Sequence, residues 1–309
     1  MPRIVNIGAA QLGPIARDET RPEVVARLLA LLQEGHARGC ELVVFPELAL
    51  TTFFPRWPMT DQAEIDAFFE REMPGVDTQP LFDEARRLGV GFVLGYAELT
   101  PAGRHLNTSI LVDTAGRIVH TYHKVHLPGH DEFEPWRAFQ HLEKRYFDVG
   151  GEGFTVCRAF GGIVGMLICN DRRWPEAYRS LGLQGVELIC IGYNTPVHNP
   201  PAPDHDRLGD FHNHLVMQSG AYQNGTWVVG VAKAGDEEGV PMIGGTCIVA
   251  PTGEIVALAH TRGDELVTAA CDLDACNSYK ASVFNFARHR EPESYWRITA
   301  QKGVELPPE

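Results

Sequence analysis

The chain has 309 residues, 44% of them hydrophobic, 22% charged and 9% aromatic, the proportions of an ordinary globular protein rather than a disordered one. Its 40 Asp and Glu against 27 Lys and Arg give a net charge of −13, which repels phosphate backbones and anionic lipids and argues against nucleic acid or a membrane surface as partner. The opening MPRIVNIGAAQLGPI has neither the length nor the charge arrangement of a signal peptide, and no run approaches the ~20 apolar residues of a membrane span.

Short β-branched runs alternate with helical stretches along the chain. Residues 4–10 predict a buried strand, followed by a helix over 21–39 with Val24, Val25, Leu28, Leu29 and Leu32 on one face. A second buried strand, 41–45, ends at Pro46-Glu47. A helix at 81–87 leads into a strand at 90–95, and 108–112 with 117–122 read as a hairpin across Asp113-Thr-Ala-Gly116. Further strands are expected at 163–168, 186–191, 227–232 and 247–250, the last pairing with 255–258 across Pro251-Thr-Gly253. Helices are expected at 175–181 and 214–223. Hairpins mixed with β-α-β units predict an α/β fold with mixed sheets. No linker, charge block or simple tandem repeat divides the chain, so a single domain over 1–309 is expected. The Pro-rich stretch 194–203 reads as a long surface loop, a common place for function.

Seven cysteines, an odd number with no CxxC, predict reduced thiols in a cytoplasmic protein and give no sign of a structural zinc site. One of them, Cys169, ends the run IVGMLI. Glu47 and Lys124 likewise follow strands, and strand ends in α/β folds border ligand crevices. Each has an ordinary reading: a solvated loop acid, a surface cation, a small core residue. Together they are chemically complete for attack on an amide-type carbonyl. A thiol is mostly protonated at neutral pH, a carboxylate can take its proton, and an ammonium stabilises the anion that follows.

FPELALTTF around Glu47, YHKVHLPG around Lys124 and GMLICNDRRWPE around Cys169 resemble the three motifs of the nitrilase-like carbon–nitrogen hydrolases, in the same chain order. Within that family, ELALTTFFPRW, FQHLEKRYF, CNDRRWPEA, GYNTPVHNPP and TCIVAPTGEIVAL are most similar to N-carbamoyl-D-amino acid amidohydrolases. The resemblance implies a four-layer α-β-β-α sandwich, no cofactor and no metal. It also implies assembly into a homodimer or homotetramer, with the C-terminal extension from about residue 280 used in oligomer contacts.

By the same resemblance Cys169 attacks the carbamoyl carbonyl, Glu47 accepts the thiol proton, and Lys124 with the backbone N–H of Asn170 stabilises the tetrahedral anion. Glu143 matches a second glutamate that holds Lys124 and the substrate amide. His126 and His141 match pocket histidines, and Asn194 and Thr195 help hold the substrate. Arg172 and Arg173 are adjacent guanidinium groups just past the nucleophile, a pattern suited to clamping a substrate carboxylate. On an extended segment they would point opposite ways, leaving one to reach the substrate. Their ordinary reading is salt bridging with the abundant acids.

Three rivals stand beside this reading. The segment 198–214 holds four histidines and three aspartates, and His212-Asn-His214 alternates as metal-binding strands do, which suits a metal-dependent amidohydrolase. A non-catalytic scaffold would be expected to lose one of Glu47, Lys124 or Cys169, and none is lost. Within the family, a β-ureidopropionase-like or aliphatic amidase activity is the alternative.

Overall fold

A computed structural model describes residues 2–308. The first half lays down β1 (Ile4–Gln11), β2 (Leu42–Val44), β3 (Gly91–Leu99), β4 (His105–Val112) and β5 (Ile118–His123). The second half lays down β6 (Val156–Ala159), β7 (Gly162–Ile168), β8 (Leu188–Tyr193) and β9 (Trp227–Ala232). After these come the small hairpin β10 (Ala234–Glu237) and β11 (Val240–Ile243), then β12 (Cys247–Val249), β13 (Ile255–Leu258) and β14 (Glu265–Asp272).

They form two six-stranded sheets, ordered β14-β1-β2-β3-β4-β5 and β13-β12-β9-β8-β7-β6. In each sheet three central strands run parallel and the flanking pairs are antiparallel.

Strict alternation of side chains sorts the layers. Val5, Ile7, Ala9, Leu42, Val44, Val93 and Leu111 meet Val164, Met166, Ile168 and the second sheet in one core between the sheets. Val43, Phe45, Phe92, Leu94 and Ile110, one residue out of phase, pack on the other side against Val24, Leu28, Leu32, Leu81 and Phe82. Those last residues belong to the helices Arg21–Ala37 and Gln79–Leu88. The helices Pro175–Gly182 and Gly209–Asn224 cover the opposite face through Ala177, Leu181, Met217 and Ala221. The result is helix, sheet, sheet, helix, the architecture that the motifs imply.

The first long helix starts where Thr20 and Glu23 cap each other reciprocally, and it ends at Ala37, two residues short of the predicted end. Four strands had no apolar run to mark them: β6, β10, β11 and β14. In β14 all residues but Leu266 and Cys271 are only partly buried or exposed, so its apolar content is diluted. The segment 198–214 departs from the strand reading. Pro203–Leu208 is a 3-10 turn and the helix begins at Gly209, so His212 and His214 are helical residues. Among the described residues, no helix is long and apolar enough to cross a membrane.

Candidate active site

Three chain crossings at the strand ends build the site. Past β2, Pro46-Glu47 threads between the two sheets at two glycines. A Cβ on Gly95 would stand 2.7 Å from the Pro46 carbonyl oxygen, and one on Gly192 would stand 2.4 Å from the Glu47 nitrogen. Only residues without a side chain let the segment pass. Leu48 then takes a left-handed φ of 47° and Ala49 N–H returns to the Gly95 carbonyl at 2.8 Å. Glu47 is left fully buried.

That carboxylate is saturated with donors. Oε1 accepts from Asn107 Nδ2 at 2.8 Å and Lys124 Nζ at 2.7 Å, and Oε2 accepts from the Asn194 N–H at 2.9 Å. Asn194 Nδ2 donates to the Glu47 carbonyl at 2.9 Å, tying the end of β8 to the end of β2. Lys124, just past β5, is anchored by its own N–H on the Asn107 carbonyl. Its ammonium also donates to Glu143 Oε2, and His141 Nε2 lies 3.1 Å from Glu143 Oε1. Glu143 opens a short helical turn, Glu143–Tyr146, and is completely buried.

Cys169 leaves β7 with a φ of 47°, a left-handed conformation that costs a non-glycine residue roughly 1–3 kcal/mol. The turn lifts the thiol off the strand so that Sγ faces Asn194, donating to its carbonyl at 3.4 Å. Donor atoms of Glu47, Glu143 and Cys169 lie within 4.8 Å of one another.

The electrostatics assign the protons. Burial, reinforced by Glu47, pushes the Cys169 thiol up to about 11 against the opposing pull of Lys124 and Arg172, so the resting sulfur is a thiol and needs a base. Burial alone would lower the lysine, but Cys169, Glu143 and Glu47 outweigh it and hold Lys124 above its ordinary value. Burial would raise Glu143, yet Lys124 and the His141 hydrogen bond hold it below the usual carboxylate range. The set therefore comprises a neutral nucleophile, a fixed cation and a carboxylate beside it. Two carboxylates and a sulfur at this spacing could also cradle a metal ion, and among the described residues this is the one such group. The Lys124 ammonium already occupies both carboxylates, so a metal would have to displace a buried cation. No three donors from 198–214 converge in this way.

Above the thiol lies a cavity of about 470 Å³, walled by Cys169, Asn194, Thr195, His141, Phe139, Arg173 and the Pro-rich loop from Pro196 to Pro201. The loop predicted at 194–203 is thus one side of the cavity. The two adjacent arginines separate. Residues 169–173 form a 3-10 turn and not an extended segment, so the expected alternation of side chains does not apply.

Arg173 borders the cavity, and its one side-chain hydrogen bond is to Asn170 Oδ1 at 3.4 Å. Desolvation, then the charge of Arg172, lowers it to about 10, which leaves it protonated at neutral pH. Arg172, also read as a substrate ligand, is buried and is not among the residues that wall the cavity. It donates to Asn213 Oδ1, the Cys169 carbonyl and Thr195 Oγ1, and lies over the Tyr193 ring at 4.1 Å. Among the described residues it makes none of the salt bridges that were its ordinary reading.

One further placement differs from expectation. His126 lies off the cavity wall, with Nδ1 2.8 Å from Asp171 and its ring stacked on Trp174 at 5.0 Å. Asn170 turns its side chain toward the His126 carbonyl and Arg173. His141, Asn194 and Thr195 do line the cavity, and Asn194 Oδ1 is a buried acceptor with no partner among the described residues.

Sequence reasoning passed over Asn107, which carries Glu47, and Asp171. Asp171 accepts from Tyr122, Ile168 N–H and His126 and so holds the nucleophile turn. Asp171 follows the cysteine closely enough to have been suspected. Nothing around Asn107 marks it.

Comparisons with known proteins agree with this geometry. The carbon-nitrogen hydrolase family profile matches residues 6–281. An N-carbamoylputrescine amidase of Arabidopsis thaliana is 30% identical over 90% of this chain and 91% of its own. A citrullinase of Francisella tularensis is 25% identical over 94% and 93%. The crystal structure of a carbon-nitrogen hydrolase from Helicobacter pylori superimposes with a TM-score of 0.83 at 20% identity, covering 97% of this chain and 99% of that one. The chain belongs to the nitrilase-like carbon–nitrogen hydrolase family, enzymes that act on amide-type bonds.

Proposed function

We propose that the protein hydrolyses N-carbamoyl-D-amino acids to the D-amino acid, ammonia and carbon dioxide. The observation that carries the substrate class is Arg173, a guanidinium on the cavity wall with no ion-pair partner among the described residues. The other cavity-wall arginine, Arg137, is already paired with Glu134 at 2.6 Å. No aspartate or glutamate lines the cavity itself. A carbamoylated diamine brings an ammonium, which this wall would repel. A carbamoyl amino acid brings a carboxylate, which Arg173 can pair with in a charge-assisted hydrogen bond. The relatives named for N-carbamoylputrescine and citrulline support the carbamoyl end, and the motif stretches around Glu47, Cys169 and Asn194 support the D-amino acid end.

In this reading the Cys169 sulfur attacks the carbamoyl carbon and its proton passes to Glu47. The tetrahedral oxyanion is held by Lys124 and the Asn170 N–H, and Asn194 Oδ1 accepts from the substrate amide. Glu47 returns the proton to the departing ammonia, then takes one from the water that attacks the S-linked thiocarbamate and passes it to the departing Cys169 sulfur. The N-carboxy amino acid released loses carbon dioxide.

The test is ammonia release from matched N-carbamoyl-D- and N-carbamoyl-L-amino acids, with Cys169→Ala as control. Selective turnover of the D series, absent in the variant, is expected. Turnover of plain aliphatic amides or of ureidopropionate in preference would overturn the substrate and leave the chemistry.

A further inference from the structure

A second set of buried charges lies on the far side of the Glu47 segment, and the chemistry above does not use it. Lys233, just past β9, and Glu237 are completely buried, and Arg56 is 3% exposed at its side chain. Every bond they make beyond one another lands on backbone. Lys233 Nζ donates to the Thr51 carbonyl at 2.6 Å and to Glu237 Oε2 at 3.2 Å. Glu237 accepts the N–H of Phe53 at 2.7 Å and of Ile15 at 3.0 Å. Arg56 donates to the Phe53 carbonyl, the Glu237 carbonyl and Glu237 Oε1.

The anchored stretch begins at Glu47 and reaches the other carboxylate too. The Phe53 ring meets His141 edge-on at 5.2 Å, and Leu142 N–H donates to the Pro55 carbonyl at 2.8 Å, next to Glu143. Lys233 N–H donates to the Tyr193 carbonyl, one residue before the Asn194 N–H that holds Glu47.

The charges are complementary. Counted as formal charges, Glu47, Lys124 and Glu143 sum to one excess negative charge, and Arg56, Lys233 and Glu237 to one excess positive charge. In a low-dielectric interior, excess charge on either set is costly unless the other is near.

We infer that Lys233, held by Glu237 and Arg56, is a positioning residue for the reaction. It fixes the segment carrying Glu47 and supplies the buried positive charge that offsets the acid-rich reacting set. Burial and the neighbouring Arg56 hold Lys233 below its ordinary value, and Glu237 and Glu47 pull the other way, so the two charge sets act on each other through Lys233 and Glu47. Cys169 faces Glu47, Glu143, Lys124 and Arg172.

The experiment is the alkylation rate of Cys169 by iodoacetamide at pH 8, read by mass mapping on the full chain. It needs no carbamoyl substrate, so it stays readable if the substrate assignment is wrong. Removing a buried positive charge that acts on Glu47 disfavours a second negative charge beside it, and Lys233→Met is expected to slow alkylation about tenfold. Glu237→Gln is expected to speed it by a similar factor, because it removes a negative charge. Lys233→Arg, which keeps the charge, recovers most of the wild-type rate. A merely structural role would not give opposite signs: an unchanged rate in Lys233→Met, or both charge-removing variants moving the same way, overturns the inference. If Lys233→Met does not fold, Arg56→Met removes one positive charge from the same set and is judged by the same rate.

Discussion

Two sets of buried charge flank the segment from Glu47 to Arg56, and they differ in what surrounds them. Around Glu237 every partner is a cation or a backbone N–H, and none of the set walls the cavity above Cys169. Around Glu47 and Glu143 the cation is shared between two carboxylates, and a neutral thiol on a cavity wall sits within 4.8 Å. Both sets hold a fully buried lysine beside glutamate. The lesson is that burial and ion pairing alone do not mark a reacting site. The mark is a group whose charge must change, placed where a second molecule can reach it.

The largest test of this contrast is Cys169→Ala. It should lower turnover by at least about 10⁴-fold while leaving the melting temperature nearly unchanged, because the loss is one small atom at the cavity edge. Residual turnover in the variant above that level would place the nucleophile elsewhere. Lys124→Met comes next, with kcat down about 10²–10³-fold, the scale of losing one oxyanion donor. If Lys233→Met cost as much in kcat as Lys124→Met, the contrast between the two sets would be gone.

Arg173→Ala should raise the KM for carboxylate substrates roughly 10–100-fold with kcat little changed, as expected for a lost charge-assisted hydrogen bond. Arg172→Ala should instead lower thermal stability by about 2 kcal/mol, since it frees the Thr195 hydroxyl and Asn213. Steady-state kinetics and thermal melts of the two variants separate a ligand from a strut. A matched KM rise in both would break that distinction.

The smallest effect is in acid. Glu143 and Glu237 are both held below the usual carboxylate range, against burial, by Lys124 and by Lys233 with Arg56. A folded value below the unfolded one adds stability above the unfolded pKa of about 4.3, lost as pH falls through the folded value. Melting temperatures should therefore be flat from neutrality to about pH 5 and decline below about pH 4.

Glu47, Lys124 and Cys169 were legible in the sequence because each ends a recognisable strand inside a recognisable motif, and the long central strands were legible as apolar runs. Arg172 and Arg173 were legible as a pair but not as individuals. Their roles depend on a 3-10 turn that periodicity reads as extended chain, and one residue of rotation decides which guanidinium meets the cavity. Asn107, Lys233 and Glu237 were invisible for a different reason. Their partners lie 60, 182 and 184 residues away, and an Asn, a Lys or a Glu in a strand-end context is ordinary until the sheets are stacked. The edge strand β14 escaped because a half-exposed strand has no run to find.

The matching order of parallel and antiparallel pairs in the two sheets has one further consequence. Glu47 and Lys124 follow strands of the first sheet, and Cys169 and Asn194 follow strands of the second. In the proposed mechanism neither half-molecule holds a complete reaction set, so that mechanism makes the apolar interface between the halves a requirement of catalysis. A substitution that shifts one sheet over the other, remote from every charged group, would register first as lost turnover and only afterwards as lost stability.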